Sequence, residues 1–241
     1  MAAREGVMKS SKFGNLLTSL YPIVDPGGSD SAAFDNVLEL LVVNGVVTLP
    51  EAVMMMIPEA WQNQPGMDPH KRAFYEWASC LMEAWDGPAL FTFSDGRYIG
   101  ASLDRNGLRP CRVYILEGDI MVCASEVGTL NIAPETVVSK GRLQPGKMLL
   151  VDTVEGRVVD DEELKMNVSR RRPYGRWVED YRITLKAIKE SVMQSGRFRP
   201  RAVDEASILY DTRMIAFGFN LEHLNMVVKP MVKVFIKRLD G

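Results

Sequence analysis

The densest hydrophobic patterning in the chain lies between residues 89 and 126, ALFTFSDGRYIGASLDRNGLRPCRVYILEGDIMVCASE. Four short apolar runs, rich in aromatic and β-branched residues, occupy positions 90–93, 98–103, 111–116 and 120–124. Between them stand Ser94-Asp95-Gly96-Arg97, Asp104-Arg105-Asn106-Gly107 and Glu117-Gly118-Asp119. Asp-Gly and Asn-Gly supply the positive-φ residues that tight connections demand, so the pattern predicts four strands. Links this short cannot hold a helical crossover, which makes the predicted pairing antiparallel. The runs are apolar at nearly every position rather than at alternate ones. That predicts a sheet covered on both faces, with the four strands as one block for flanking helices to pack on.

Helical spacing dominates on either side. Positions 1–20 carry a loose helical pattern. Pro26-Gly27-Gly28 then breaks the chain before a helix expected over 31–44, with Ser29, Asp30 and Ser31 as candidate N-caps and Gly45 as its stop. Thr48 and Glu51 have capping-box spacing at the start of a second helix, where Met54-Met55-Met56-Ile57 reads as core and Pro58 as the end. A third helix opens at Asp68-Pro69. Its stripe is Phe74, Trp77, Ala78, Leu81, Met82 and Trp85, and Asp86-Gly87-Pro88 closes it. Beyond the strand block, 134–140 reads as a loop or short helix, and 147–153 and 157–159 as strands around Glu155-Gly156. Helices follow from Asp160-Asp161 to 168, over 177–193 and over 220–239, with a basic linker at 195–204. The fold class is α+β.

Charge narrows the function. With 29 basic and 31 acidic residues there is no net field to attract nucleic acid or an anionic membrane. Arg170-Arg171-Arg172, the one basic run, reads as a solvated helix end. No apolar stretch approaches the ~20 residues that span a bilayer. Cys80, Cys111 and Cys123 lack CxxC spacing, which argues against a disulfide framework, a zinc site or a cluster, and all three read as core. His70 and His223 have no partner at ligand spacing, so no metal site is expected.

Two stretches carry candidate chemistry. In GGSDS, residues 27–31, Asp30 sits at a flexible turn before a helix, where a carboxylate either caps the helix or binds an ammonium group. In DRNGLRP, residues 104–110, Asn106 and Gly107 would offer an amide and a backbone N–H to an oxyanion, and Arg105 and Arg109 would hold a carboxylate; a plain turn between strands is the other reading. No GxGxxG or Walker pattern is present.

Longer motifs go further. YPIVDPGGSDSAAFDNVLELL, LPEAVMMMIPEAWQN, the run from KRAFYEW to RNGLRPCR, CASEVG and KGRLQPGKMLLVDT resemble the glutamine amidotransferase domain of the glutamate synthase family, almost continuously over 4–168. DTRMIAFGFNLEHLNMVVKPM, residues 211–231, resembles the start of the central domain that follows it in that family, whereas VKVFIKRLDG from 232 departs from the pattern. The implied division is 1–187 for the amidotransferase part and 188–241 for a helical linker and the start of the central domain. The implied fold is the N-terminal-nucleophile fold, two antiparallel sheets between helical layers (αββα).

The implied activity is hydrolysis of glutamine by an N-terminal cysteine. Ammonia passes to 2-oxoglutarate, and the resulting imine is reduced through FMN and an iron–sulfur cluster elsewhere in the enzyme. Partners are then glutamine and the remaining glutamate synthase domains, in a cytoplasmic or, less favoured, organellar compartment. Asp30 matches the family's aspartate for the α-amino group of glutamine, with Gly28 and Ser29 beside it. Asn106-Gly107 belongs to the RNGLRP element rather than to the oxyanion pair, and reads as supporting structure. The sequence opens Met1-Ala2-Ala3-Arg4, and neither a cysteine near the start nor the family's HNGEINT string occurs in it. The resemblance therefore predicts missing N-terminal strands, no catalytic residue within these 241 positions and no activity for them alone. A fragment of an enzyme and a binding protein derived from such a domain are the two readings, separated by whether upstream coding holds the cysteine and HNGEINT in frame.

Overall fold

The computed structural model describes residues 9–45, 47–196, 216 and 218–232. The chain divides into two compact units, Met1–Arg182 and Ile183–Gly241. In the first, a 3-10 helix (Gly14–Leu20) leads to α1 (Asp30–Val43), α2 (Leu49–Met56) and α3 (Pro69–Leu81). The three α-helices each start where a side chain can serve a free N–H group. Ser29 Oγ accepts from Ala32 N–H at 3.2 Å, and Asp68 Oδ1 from His70 N–H at 2.8 Å. Glu51 accepts from Thr48 N–H at 3.5 Å, closing the expected capping box. Every residue of α2 is buried, its three methionines included. It packs against α1, α3 and α4 (Asp161–Arg170) at once, so no face is left to water.

α3 is shorter than the stripe implied and is turned about its axis. It ends at Leu81, Met82 is extended, and Trp85 lies outside it with its N–H on the Met56 carbonyl. The buried arc is Lys71, Phe74, Tyr75 and Ala78. Leu81 is exposed, and so is Cys80, which corrects the expectation that Cys80 is core. At 100° per residue Cys80 falls about 200° from Ala78, on the opposite side of the helix.

The strand block is not one sheet. β1 (Leu90–Ser94) and β2 (Tyr98–Leu103) join β6 (Met148–Asp152) and β7 (Arg157–Val159) in the order β1-β2-β6-β7. β3 (Arg112–Leu116) and β4 (Ile120–Ala124) pair instead with β5 (Val137–Arg142), in the order β4-β3-β5. All pairings are antiparallel. Residues 104–111 cross from one sheet to the other, so the Asn-Gly there is no hairpin between partners. β5 escaped the hydrophobic pattern because VVSKGR is polar and mostly exposed, and only Pro134–Thr136 before it is helical.

Alternation in the four-stranded sheet sends Phe91, Phe93, Tyr98, Met148, Leu150 and Val159 into the helices, where they meet Phe34, Val53, Phe74 and Val168. The other face buries Ala101 and Leu103 but leaves Ile99 54% exposed. The two-sided cover expected of this sheet is therefore complete on the helical side only. Between the sheets lies an apolar groove of about 620 Å³, walled by Ile99, Leu149 and Val151 on one side and Met121 and Cys123 on the other. Past β7, α4 and α5 (Tyr174–Tyr181) close this unit.

The helix expected over 177–193 is split, because Arg182 is extended and Thr184 caps a new helix, α6 (Leu185–Gln194). The second unit also holds the helical turn Leu221–His223, which continues as a π-helical turn, Leu224–Val228. The start of the expected N-terminal helix (1–8), the linker beyond Gly196 and the helix end beyond 232 lie outside the described residues.

Candidate functional site

Asp30 is the first residue of α1 and is exposed. The turn before it hangs from Asp25, whose Oδ1 accepts from Gly27 N–H at 2.9 Å and whose carbonyl accepts from Gly28 N–H at 3.1 Å. Asp25 N–H in turn donates to Asn36 Oδ1, one and a half turns into α1, at 3.2 Å. Gly28 is needed for closeness rather than for its φ: a Cβ there would sit 3.3 Å from both Ala32 Cβ and the Asp25 carbonyl oxygen. Ser29 caps the helix and lies 3.0 Å, Oγ to Oγ, from Ser31. Asp30 Oδ1 accepts from Ser31 N–H at 2.7 Å, and among the described residues no cation pairs with this carboxylate. A free carboxylate at a helix start, held by a compact turn, is chemically suited to receive an ammonium group.

Asn106 and Gly107 lie elsewhere. They belong to the crossing between the sheets, which is organised by Asp104, a carboxylate only 3% exposed. Its Oδ1 accepts from Ala89 N–H (3.1 Å) and Leu108 N–H (3.2 Å), its Oδ2 from Asn106 N–H (3.0 Å), and its carbonyl from Gly107 N–H (2.9 Å). The Gly107 N–H is thus committed to the turn rather than free for an oxyanion. Arg105 pairs with Asp86 at 3.2 Å. Asn106 and Arg105 border a cavity of about 560 Å³ with Glu59, Trp61, Tyr75 and Trp85, and Asp30 is not among its lining residues.

Two charged clusters went unread in the sequence. Glu51, fully buried, accepts from Tyr174 Oη at 2.7 Å and from Arg171 at 2.8 Å. Arg171 is therefore no idle member of a solvated basic run, a correction that only the tertiary contact between α2 and the α4–α5 corner reveals. The second cluster joins α3, α4 and the start of β6. Lys165 Nζ donates to the Gly146 carbonyl at 2.5 Å and pairs with Asp161 at 3.1 Å and Glu59 at 3.5 Å. Lys71 reaches Glu162 at 2.9 Å, and Tyr75 Oη donates to Glu59 at 3.0 Å. Burial alone would raise Asp161, but Lys147 and Lys165 outweigh it and hold the carboxylate below its usual range. Such charges are scattered singly along the sequence, so no local signal marks them.

The cysteines offer no prepared nucleophile. Burial, with the neighbouring Cys123 thiol, pushes Cys111 up to about 12, which keeps it protonated. Cys80 borders an apolar groove with Trp77, Leu81, Trp177 and Tyr181. Among the described residues no three or more His, Cys, Asp or Glu side chains come together as metal ligands, and His70 and His223 are exposed. No helix among them is long and apolar enough to cross a membrane.

The sequence model of the class-II glutamine amidotransferases matches residues 1–177. Over 96% of its length the chain is 58% identical to the glutamate synthase [NADH] of Schizosaccharomyces pombe and 49% identical to that of Saccharomyces cerevisiae. Over 97% of its length it is 42% identical to the glutamate synthase [NADPH] large chain of Bacillus subtilis. It spans only 11% of each yeast protein and 15% of the bacterial one. With its paired antiparallel sheets, its helical layer and a match over nearly three quarters of its residues, the chain belongs to the class-II glutamine amidotransferases, as a segment similar to part of glutamate synthases.

Proposed function

We propose that this chain supplies part of the glutamine site of a glutamate synthase, with Asp30 holding the α-amino group of glutamine. The carrying observation is the exposed Asp30 carboxylate, without a cation partner among the described residues, on a turn braced by Asp25 and Asn36. Gly28 lets that turn close and Ser29 caps the helix beneath it, while Asn106 and Gly107 support the fold. The whole protein then makes glutamate from glutamine and 2-oxoglutarate. Residues 1–187 belong to the amidotransferase part and 188–241 lead into the next domain. Cytoplasmic residence, preferred over an organellar one, belongs to the same reading. FMN and an iron–sulfur cluster serve the reduction elsewhere in the enzyme.

Asp30→Asn in the full polypeptide tests the reading. A hydrogen bond to a charged group contributes roughly 1.5–3 kcal/mol, so the glutamine KM should rise about ten- to hundredfold. Synthesis from added ammonia should persist, because ammonia needs no amino-group site. An unchanged glutamine KM would sink the assignment. A second expectation concerns a polypeptide of these 241 residues alone. Among the described residues its cysteines show no paired base, so it should release no glutamate from glutamine. Release that thiol alkylation abolishes would show that one of them acts.

A further inference from the structure

We infer that Asn36 is a positioning residue for the Asp30 carboxylate, an assignment that rests on Asp30 being the ammonium-binding group. The first residues of a helix lack intrahelical partners for their N–H groups, so position there depends on what holds the chain from outside. Here the hold can be traced bond by bond. Asn36 Oδ1 takes the Asp25 N–H at 3.2 Å, a contact spanning eleven positions of sequence. Asp25 takes the N–H of Gly27 with its side chain, at 2.9 Å, and that of Gly28 with its carbonyl, at 3.1 Å. Ser29 follows and takes the Ala32 N–H, and Asp30 is the next residue.

The turn that carries the carboxylate is thereby fastened to the flank of the helix it begins. Asn36 is half-buried and its neighbours Phe34 and Val37 are in the core, so the anchor end belongs to a packed part of α1. Gly28 has no side chain to disturb this turn, whereas a Cβ there would sit 3.3 Å from both Ala32 Cβ and the Asp25 carbonyl oxygen. Binding groups must be held to about 0.5 Å to be effective, and the Asn36–Asp25 bond is a tertiary restraint on this one. Asn36 touches no substrate; it acts through Asp30.

The test uses the full polypeptide in glutamine hydrolysis. Asn36→Leu keeps the γ-branched shape but has no acceptor, and should raise the glutamine KM about three- to tenfold with kcat unchanged. Asn36→Ala should do the same, which covers the case in which leucine disturbs the helix. Asn36→Asp keeps the Oδ1 acceptor and should stay within about twofold of the parent. Because the route runs through Asp30, the double variant of Asp30→Asn with Asn36→Leu should have the KM of Asp30→Asn alone. If Asp30→Asn raises KM but Asn36→Leu and Asn36→Ala do not, the positioning role falls and the amino-group site stands. Effects that multiply in the double variant overturn it equally. If Asp30→Asn itself leaves KM unchanged, both readings are lost.

Discussion

Single residues in this chain matter most where space or φ allows no substitute. Gly107 has φ +63°, and a Cβ there would lie 2.5 Å from Pro145 Cγ. Gly107→Ala therefore meets both a left-handed backbone, costing about 1–2 kcal/mol, and a clash with a rigid ring. Gly107→Ala should lower the melting temperature by several degrees, whereas Gly118→Ala, with φ +78° but open space around it, should show the backbone effect alone. Equal shifts in the two variants would mean that the Pro145 contact costs nothing. Asp152 is a carboxylate whose titration the fold lowers. The hydrogen bond from Arg97 at 2.6 Å, helped by the Val154 and Glu155 N–H groups, holds it down to about 2.

An unfolded carboxylate titrates near ~4, so between about pH 4 and 2 the folded state binds fewer protons than the unfolded one. The stability this confers is complete above about pH 4 and drains away as pH falls toward 2. Thermal melts of Arg97→Gln should accordingly lie below the parent by a constant interval at pH 5 and above, narrow as the pH falls toward 2, and converge on it only below that. A constant interval at all pH values would detach the effect from Asp152.

Elements here are set by their partners more than by their own sequence. α2 has eight residues, too few to persist alone, yet all are buried. Its Glu51 ties it to α5 through Tyr174 and to the end of α4 through Arg171. Glu51→Ala leaves the buried Tyr174 hydroxyl and a half-exposed guanidinium unmatched, which should cost about 3 kcal/mol, against about 1 for Tyr174→Phe. At roughly 2–4 °C per kcal/mol the two variants are separable by calorimetry, and equal losses would argue that Arg171 adds nothing.

Among the described residues, the first unit shows an unfinished sheet face. The face of the four-stranded sheet turned toward β4 leaves Ile99 exposed beside the apolar groove. Exposed apolar patches of this kind recruit hydrophobic dyes or other copies of a chain. A polypeptide of these residues should bind such a dye strongly, and Ile99→Thr should reduce the signal without lowering the melting temperature, since Ile99 contributes little buried area. A monodisperse protein that binds no dye would show that the groove is closed in solution.

Element type was legible wherever the signal is local. The caps at Ser29, Thr48, Asp68 and Asp160, the Asp-Gly turn at 95–96 and the apolar run of β6 all act within a few residues. The motif around Asp30 could be read as well, because turn, cap and carboxylate are consecutive. Sheet membership could not. Whether β2 pairs with β3 or with β6 turns on a buried Asp104 that folds residues 104–108 around itself, and on pairing partners 45 or more positions away. Nor could the Glu51–Arg171–Tyr174 and Lys165–Asp161–Glu59 clusters, since a charge on a polar stretch looks the same whether water or a distant carboxylate receives it. Local hydrogen bonding is written in adjacent residues; the pairing of strands and buried charges is decided only when the chain is packed.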